Sequence, residues 1–314
     1  MSTSLPMILS NVSAGIESAA AILSSGGLVA FPTETVYGLG ADARNGEAVA
    51  SVFEAKGRPT FNPLIVHVPD VTSAQKFGHW TPQAEALATA FWPGPLTLVL
   101  PLREGHGLSS LVTAGLDSVA IRVPAHPTAQ AILAAFGGPV AAPSANPSGR
   151  ISPTSADHVV QGLGQKVAAI LDDGPCSVGL ESTIVGLNGP ATLLRAGGVT
   201  SEDIEGVLGA SLHAVTDSKI SAPGQMLSHY APVEKVRLNA TQARQNEVFL
   251  GFGDMDCDIN LSRHADLKEA AANLFEHLHV LDRLGQPIAV APIPRSGLGL
   301  AINDRLTRAA APKA

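Results

Sequence analysis

Seven short runs rich in aliphatic and β-branched residues, each closed off by proline, glycine or a polar cluster, limit what the first two hundred residues can build. They cover residues 27–31, 63–68, 96–100, 119–123, 168–171, 182–187 and 191–195. Runs this short and apolar read as strands. The 31 Gly and 23 Pro scattered among them favour tight turns over long bundled helices. Helical spacing lies between the strands: residues 47–56 stripe Val49, Val52 and Phe53, residues 82–91 stripe Leu87 and Phe91, and residues 128–136 offer Ile132 and Leu133. Alternation of the two periods predicts a mixed α/β domain over residues 1–208.

Residues 209–233 hold neither period, and a stretch of that kind is either a linker or a functional lid; both readings stand. Beyond it, strand-like residues 248–252 and 288–291 bracket a helix over 266–284 that stripes Leu267, Ala271, Leu274, Leu278 and Leu281. A further helix is expected over 298–308. Residues 234–314 therefore read as a small βαβ-type second domain, and 314 residues suit roughly two domains.

Charge and cysteine usage narrow the function. Twenty Lys plus Arg against 27 Asp plus Glu give a net charge of −7, which opposes wholesale attraction to nucleic acid or an anionic membrane. A nucleotide must then be met by a local patch. Cys176 and Cys257 are too few for a disulfide framework and fit a reducing cytoplasm. No window approaches the roughly 20 apolar residues of a bilayer span, so a soluble cytoplasmic protein is expected.

Several familiar chemistries find no motif. There is no G-x-x-x-x-G-K-[S/T] phosphate loop, no G-x-S-x-G elbow and no H-E-x-x-H pair. Gly297-Leu-Gly299 lacks the third glycine of a dinucleotide fingerprint and reads as a turn. His277 and His279 fall on opposite faces of their helix, so no zinc site is expected. Asp254, Asp256 and Asp258 read as a solvated loop.

Chemistry-bearing residues gather instead where strands end. Phe31-Pro-Thr-Glu-Thr-Val-Tyr-Gly-Leu-Gly40 leaves a strand and is expected to turn at its two glycines, setting Thr33, Glu34, Thr35 and Tyr37 in a ligand-building position. Lys56-Gly57-Arg58-Pro59 either aims an ammonium and a guanidinium at one polyphosphate or forms a basic, glycine-capped helix end. Pro143-Ser-Ala-Asn-Pro147 carries a hydroxyl and an amide on a stiff loop, Ser144 and Asn146, behind an apolar strand-like approach. Arg122 stands in an apolar strand, where a buried guanidinium demands an anion such as a substrate carboxylate, unless it faces solvent. Arg195 poses the same choice. Ser182 and Thr183 add donors at the head of another strand.

Together and in this order, these segments resemble the YrdC-like family in its two-domain, threonylcarbamoyl-adenylate synthase form. Lys56-Gly-Arg58 with Ser144-Ala-Asn146 is similar to the family's K-x-R and S-x-N signature, and Ser221 to Pro232 resembles the linker of the long form. The resemblance implies a twisted mixed α/β sheet with a concave active site and a small Rossmann-like C-terminal domain. It also implies a reaction: L-threonine, bicarbonate and ATP yield threonylcarbamoyl-AMP and pyrophosphate, and a separate transferase complex then modifies tRNA beside the anticodon. Lys56, Arg58, Ser144 and Asn146 would be catalytic and, with Arg195 and Tyr230, bind ATP. Thr35, Tyr37, His67, Arg122 and Ser182 would serve threonine, with His67 a candidate base. Magnesium would arrive on ATP without protein ligands of its own. His229-Tyr230 is the candidate lid, hinged at Pro223-Gly224 and Pro232. The rival reading is a non-catalytic RNA-binding module, against which stand the net charge and the absence of Lys/Arg runs; no direct sequence-specific nucleic-acid binding is expected.

Overall fold

The computed structural model describes residues 5–215 and 229–312. The expected hinge at Pro223-Gly224, and with it most of the linker, lies outside the described residues. Eleven strands form one twisted mixed sheet: β1 (Met7–Ser10), β2 (Val29–Phe31), β3 (Gly38–Asp42), β4 (Ile65–His67), β5 (Leu96–Pro101), β6 (Ser118–Arg122), β7 (Val140–Ala141), β8 (Ala169–Asp172), β9 (Thr183–Gly186), β10 (Thr192–Arg195) and β11 (His213–Ala214). Their order across the sheet is β1-β8-β2-β3-β7-β4-β6-β5-β9-β10-β11. Each of the seven expected runs overlaps one of these strands, with β5, β6 and β8 overrunning theirs by one residue.

Strand alternation sorts side chains onto two cores. Val29, Phe31, Val140 and Leu171 turn to one face and pack with Ile132 and Leu133, while their neighbours Ala30, Ala141 and Ile170 turn to the other, with Val49 and Val52. The helices that cover these faces are α1 (Ser13–Ser24), α2 (Gly46–Lys56), α3 (Val71–Ala74), α4 (Pro82–Phe91), α5 (Ser110–Thr113), α6 (Pro127–Phe136), α7 (Ala156–Leu163) and α8 (Ser201–Leu208). Each fully buried aliphatic side chain contributes about 1.5–3 kcal/mol.

Residues 31–40 depart from expectation. Gly38 and Gly40 do not turn the chain; they lie in β3, antiparallel to β2, opposite Phe31 and Val29. The reason is room: a Cβ on Gly40 would sit 2.8 Å from the Phe31 ring and 3.0 Å from Val140. Glycine lets that ring lie flat on the backbone.

The second sheet is wholly parallel, with β12 (Val236–Arg237), β13 (Val248–Gly251), β14 (Ile259–Asn260) and β15 (Ile288–Val290) in the order β12-β15-β13-β14. Helices α9 (Leu267–Asp282) and α10 (Leu298–Ala310) pack with it. Its core runs on into Val36, Ile151, Leu180 and Tyr230, so the small domain sits directly behind residues of the first. Gly297 opens α10 with φ +53°, in keeping with the turn expected there. Among the described residues no helix is long and apolar enough to cross a membrane.

Candidate active site

The K-G-R segment forms the glycine-capped helix end that its sequence allowed, and of its two cations Arg58 lines the cavity while Lys56 does not. Helix α2 begins at Asn45, whose side chain accepts from the main-chain N–H groups of Glu47 and Ala48, and ends at Gly57 with φ +59°. That left-handed cap turns the chain sharply, so Lys56 finishes the helix facing inward and Arg58 enters the next loop, both buried. Lys56 Nζ donates to the carbonyls of Ser144 (2.5 Å) and Asn146 (2.6 Å), and Ser148 N donates back to Lys56 O (2.7 Å). The ammonium therefore clamps the Ser144–Asn146 loop from behind. Arg58 donates to Asn62 O (3.1 Å) and Pro63 O (2.8 Å) and reaches the cavity wall.

The cavity opens where loops leave β2, β4, β6 and β7 and where β9 begins. Thr35, Arg58, His67, Arg122, Ser144, Ser182, Arg195 and Tyr230 line it, as do Thr33, Glu181 and His229. Three expected residues stand elsewhere. Lys56 lies behind the loop it clamps. The Asn146 amide donates to Pro147 O and Arg150 O, and the residue lines a separate cleft shared with His158 and His279. Tyr37 belongs to the main core, its hydroxyl donating to Gly174 O (2.8 Å) and Asp172 (3.2 Å). Alternation decides this: Val36 and Gly38 face the cavity, so the side chain between them faces away. Tyr37 acts through its main chain, accepting from Ala145 N at 2.8 Å.

Arg122 is buried, and its anionic partner is internal. Its Nη2 pairs with Glu34 Oε1 at 2.7 Å, Nη1 donates to Thr35 Oγ1 at 2.9 Å, and Glu34 also accepts from Ala125 N. The anion that a buried guanidinium demands is thus supplied within the chain, by the glutamate two residues beyond Pro32. Thr33 locks the same turn by donating to Val36 O at 2.6 Å. Ser182 shares a 2.7 Å hydrogen bond with Thr97, and Arg195 donates to Ser182 O from Nε and Nη2. His67 Nδ1 meets Ile65 O at 3.2 Å.

Electrostatics give the cavity its character. Lys56, Arg58, Arg122, Arg195 and Arg305 are buried here, against only two buried carboxylates, Glu34 and Glu181. Burial, and then neighbouring cations, push Lys56, Arg58 and Arg195 below their ordinary values. Burial and Arg122 bring His67 down to about 3, which keeps its imidazole neutral. Burial drives the Glu181 carboxyl up, but Arg305 and Arg195 outweigh it and hold the group below its usual range. A region with this surplus of desolvated positive charge is matched by a polyanion.

Tyr230 and His229 cover one side, their rings 4.1 Å apart, with Tyr230 resting on Phe275 of α9 at 5.6 Å. With them in place the cavity measures about 50 Å³. Small-molecule sites run to roughly 300–1,000 Å³.

Glu181 and Arg305 carried no sequence-based role. Glu181 accepts from Ser152 Oγ (2.5 Å) and pairs with Arg305 Nε (2.9 Å), a residue of the second domain. A signal for Arg305 existed: it shares the helical stripe of Ala301, Ile302, Leu306 and Ala309, a lone charge on an apolar face.

Both domains are similar to known proteins. Residues 21–197 match the Sua5_yciO_yrdC family, described as telomere recombination, and residues 199–311 match the threonylcarbamoyl-AMP synthase C-terminal domain. A threonylcarbamoyl-AMP synthase of Bacillus subtilis is 41% identical over 94% of this chain and 92% of its own length. One from Schizosaccharomyces pombe is 36% identical over 96% of this chain and 89% of its own. The crystal structure of Pyrococcus abyssi Sua5 complexed with L-threonine superposes with a TM-score of 0.89 at 38% identity, covering 98% of each chain. With both domains matched in sequence and the whole chain matched in structure, this protein belongs to the Sua5/YciO/YrdC family, in the form that carries the Sua5 C-terminal domain.

Proposed function

We infer that the chain is a threonylcarbamoyl-AMP synthase, a nucleotidyltransferase that condenses L-threonine, bicarbonate and ATP into threonylcarbamoyl-AMP and pyrophosphate. The observation that carries this reading is the buried cationic surplus of Arg58, Arg195 and their neighbours beside the hydroxyls of Thr35, Ser144 and Ser182. The synthase activity named for relatives at 41% and 40% identity supports it over a non-catalytic RNA-binding module.

The chemistry asks for positioning and charge neutralisation. Threonine carbamate forms from the amine and bicarbonate with loss of water; its carboxylate attacks the α-phosphorus of ATP, and pyrophosphate leaves in line. Arg58 and Arg195 would neutralise the phosphates, with Ser144, on the loop that Lys56 holds, fixing an oxygen. Arg122, kept rigid by Glu34, would present a remaining donor edge to the threonine carboxylate with Thr35 and Ser182 beside it. His67, brought down to about 3 by burial and Arg122, would be a weak base at neutral pH and a poor acceptor for the proton that threonine must lose. Among the described residues no cluster of three or more His, Cys, Asp or Glu could hold a metal, and the carboxylate that lines the cavity, Glu181, is in an ion pair with Arg305. Magnesium would enter as part of the ATP substrate.

We assign catalysis to residues 1–208, a linker and lid to 209–233 and a small supporting domain to 234–314. Tyr230 would close over the water-labile anhydride. The product would pass in the cytoplasm to a separate transferase complex acting on tRNA. The test is pyrophosphate release with threonine, serine or glycine, with and without bicarbonate. Release that requires both threonine and bicarbonate is expected; release independent of either overturns the reading.

A further inference from the structure

Arg305 is wholly buried although it belongs to the second domain, and it reaches 124 positions back along the chain to Glu181. Its Nε pairs with Glu181 Oε2 at 2.9 Å, and its Nη1 donates to Ala196 O at 2.8 Å and Asp304 at 2.9 Å. Its guanidinium carbon lies 5.1 Å from the centre of the Tyr230 ring. One side chain of α10 thus touches the strand-head residue Glu181, the strand end after Arg195 and the aromatic cover. The same helix accepts from His229 N through Arg308 O at 3.3 Å.

A buried ion pair of this sort is a poor source of stability, since apolar packing of equal volume usually does as well. The arrangement makes sense by what it prevents. Glu181 is buried and must keep a cationic partner. Ser152 holds one of its oxygens and Arg305 the other. The next cation able to compensate it is Arg195, whose guanidinium already lies on Ser182, the neighbour of Glu181. With Arg305 gone, Glu181 would draw Arg195 to itself and cancel one of the charges that face the cavity.

We propose that Arg305 is a positioning residue: by occupying Glu181 it keeps Arg195 directed to the anionic ligand, and through this contact the second domain completes the nucleotide site. The inference rests on the synthase reading given above and assigns a task to the second domain within it. It implies that the carboxylate, not the missing arginine, does the damage in a variant lacking Arg305.

The experiment compares ATP KM, threonine KM and kcat for wild type, Arg305→Met, Arg305→Lys and the double variant Glu181→Gln/Arg305→Met, each with its thermal midpoint. Arg305→Met should raise ATP KM tenfold or more while threonine KM moves less than threefold. Arg305→Lys should stay within about threefold of wild type, and the double variant should recover most of the lost ATP affinity despite carrying two changes. Arg305→Gln, which keeps a donor for Ala196 O but no charge, replaces Arg305→Met if that chain does not fold. An ATP KM unchanged in the uncharged variants, or a double variant as weak as the single, overturns the proposal. A wild-type enzyme that releases no pyrophosphate with threonine and bicarbonate overturns instead the functional reading, so the two failures are separable.

Discussion

The two sheets are built to opposite rules. The large one tolerates a buried lysine, three buried arginines and two buried glutamates at one end, whereas the small one, from residue 234 onward, buries only Ser262 and Arg305 among its described polar side chains. The second domain is held by apolar strands and helices. In the first domain charge is held inside against its desolvation cost, and the one charge buried in the second is directed across the boundary to Glu181. Interior charge here follows function, and apolar burial supplies stability.

A crossed pair of substitutions puts that contrast at risk most directly. Lys56→Met should lower kcat/KM by about 10²–10³, the usual cost of removing a preorganised electrostatic group. Its thermal midpoint should fall only a few degrees, because relief of the burial of a charge, and then of its crowding with Arg58, offsets the two lost hydrogen bonds. Leu274→Ala, in the fully buried stripe of α9, should do the reverse: about 2–5 kcal/mol of stability lost, with turnover unchanged at temperatures where the variant is folded. Steady-state kinetics beside thermal melts decide it. Equal losses of activity and stability in both variants would erase the distinction between the regions.

How far the amino-acid sequence discloses this division depends on the kind of signal. Strands β2, β4, β5, β6, β8, β9 and β10 were legible because each is an apolar run with a clear stop, and α9 because its stripe is regular. Helix α1 was not: its sequence Ser-Ala-Gly-Ile-Glu-Ser-Ala-Ala-Ala-Ile-Leu-Ser is mostly small residues, and Val12 offers no side-chain cap. Strand β3 was hidden by its glycines, whose purpose is a ring that lies elsewhere in the chain. At the site, cations and hydroxyls could be picked out singly, but pairing could not. That Glu34 answers Arg122 and that Arg305 answers Glu181 are facts of tertiary structure spanning 88 and 124 residues.

Tyr37 sharpens the same contrast at smaller scale, since it stands in the site motif yet serves the core. Its hydroxyl, raised in pKa by burial and Asp172, bonds Gly174 O. Tyr37→Phe should cost about 1 kcal/mol of stability, the net worth of one internal hydrogen bond, and leave threonine KM within twofold. A threonine KM raised tenfold would return the side chain to the pocket.

The smallest expected effect lies on the seam between the domains. His158 of α7 stacks on His279 of α9 with ring centres 3.7 Å apart, and His279 Nε2 meets Ser152 O at 3.1 Å. Burial, then the facing ring, bring His158 down to about 3; burial outweighs the Ser152 carbonyl and brings His279 down to about 4. Both folded values lie below the roughly 6.5 of an unfolded histidine. Between those limits the unfolded chain binds more protons than the folded one, so stability is full above about pH 6.5 and declines as pH falls toward 4. His67 and His229, also buried neutral, add to that decline in any variant that keeps them. The seam is therefore isolated by difference: His158→Phe keeps an aromatic face for His279 but removes one titration. Its thermal midpoint should drop a few degrees less than wild type between pH 7 and pH 5. Identical drops would mean that the stacked pair accepts its protons without parting, and that the apolar second domain holds its place against the charged first without help from neutral imidazoles.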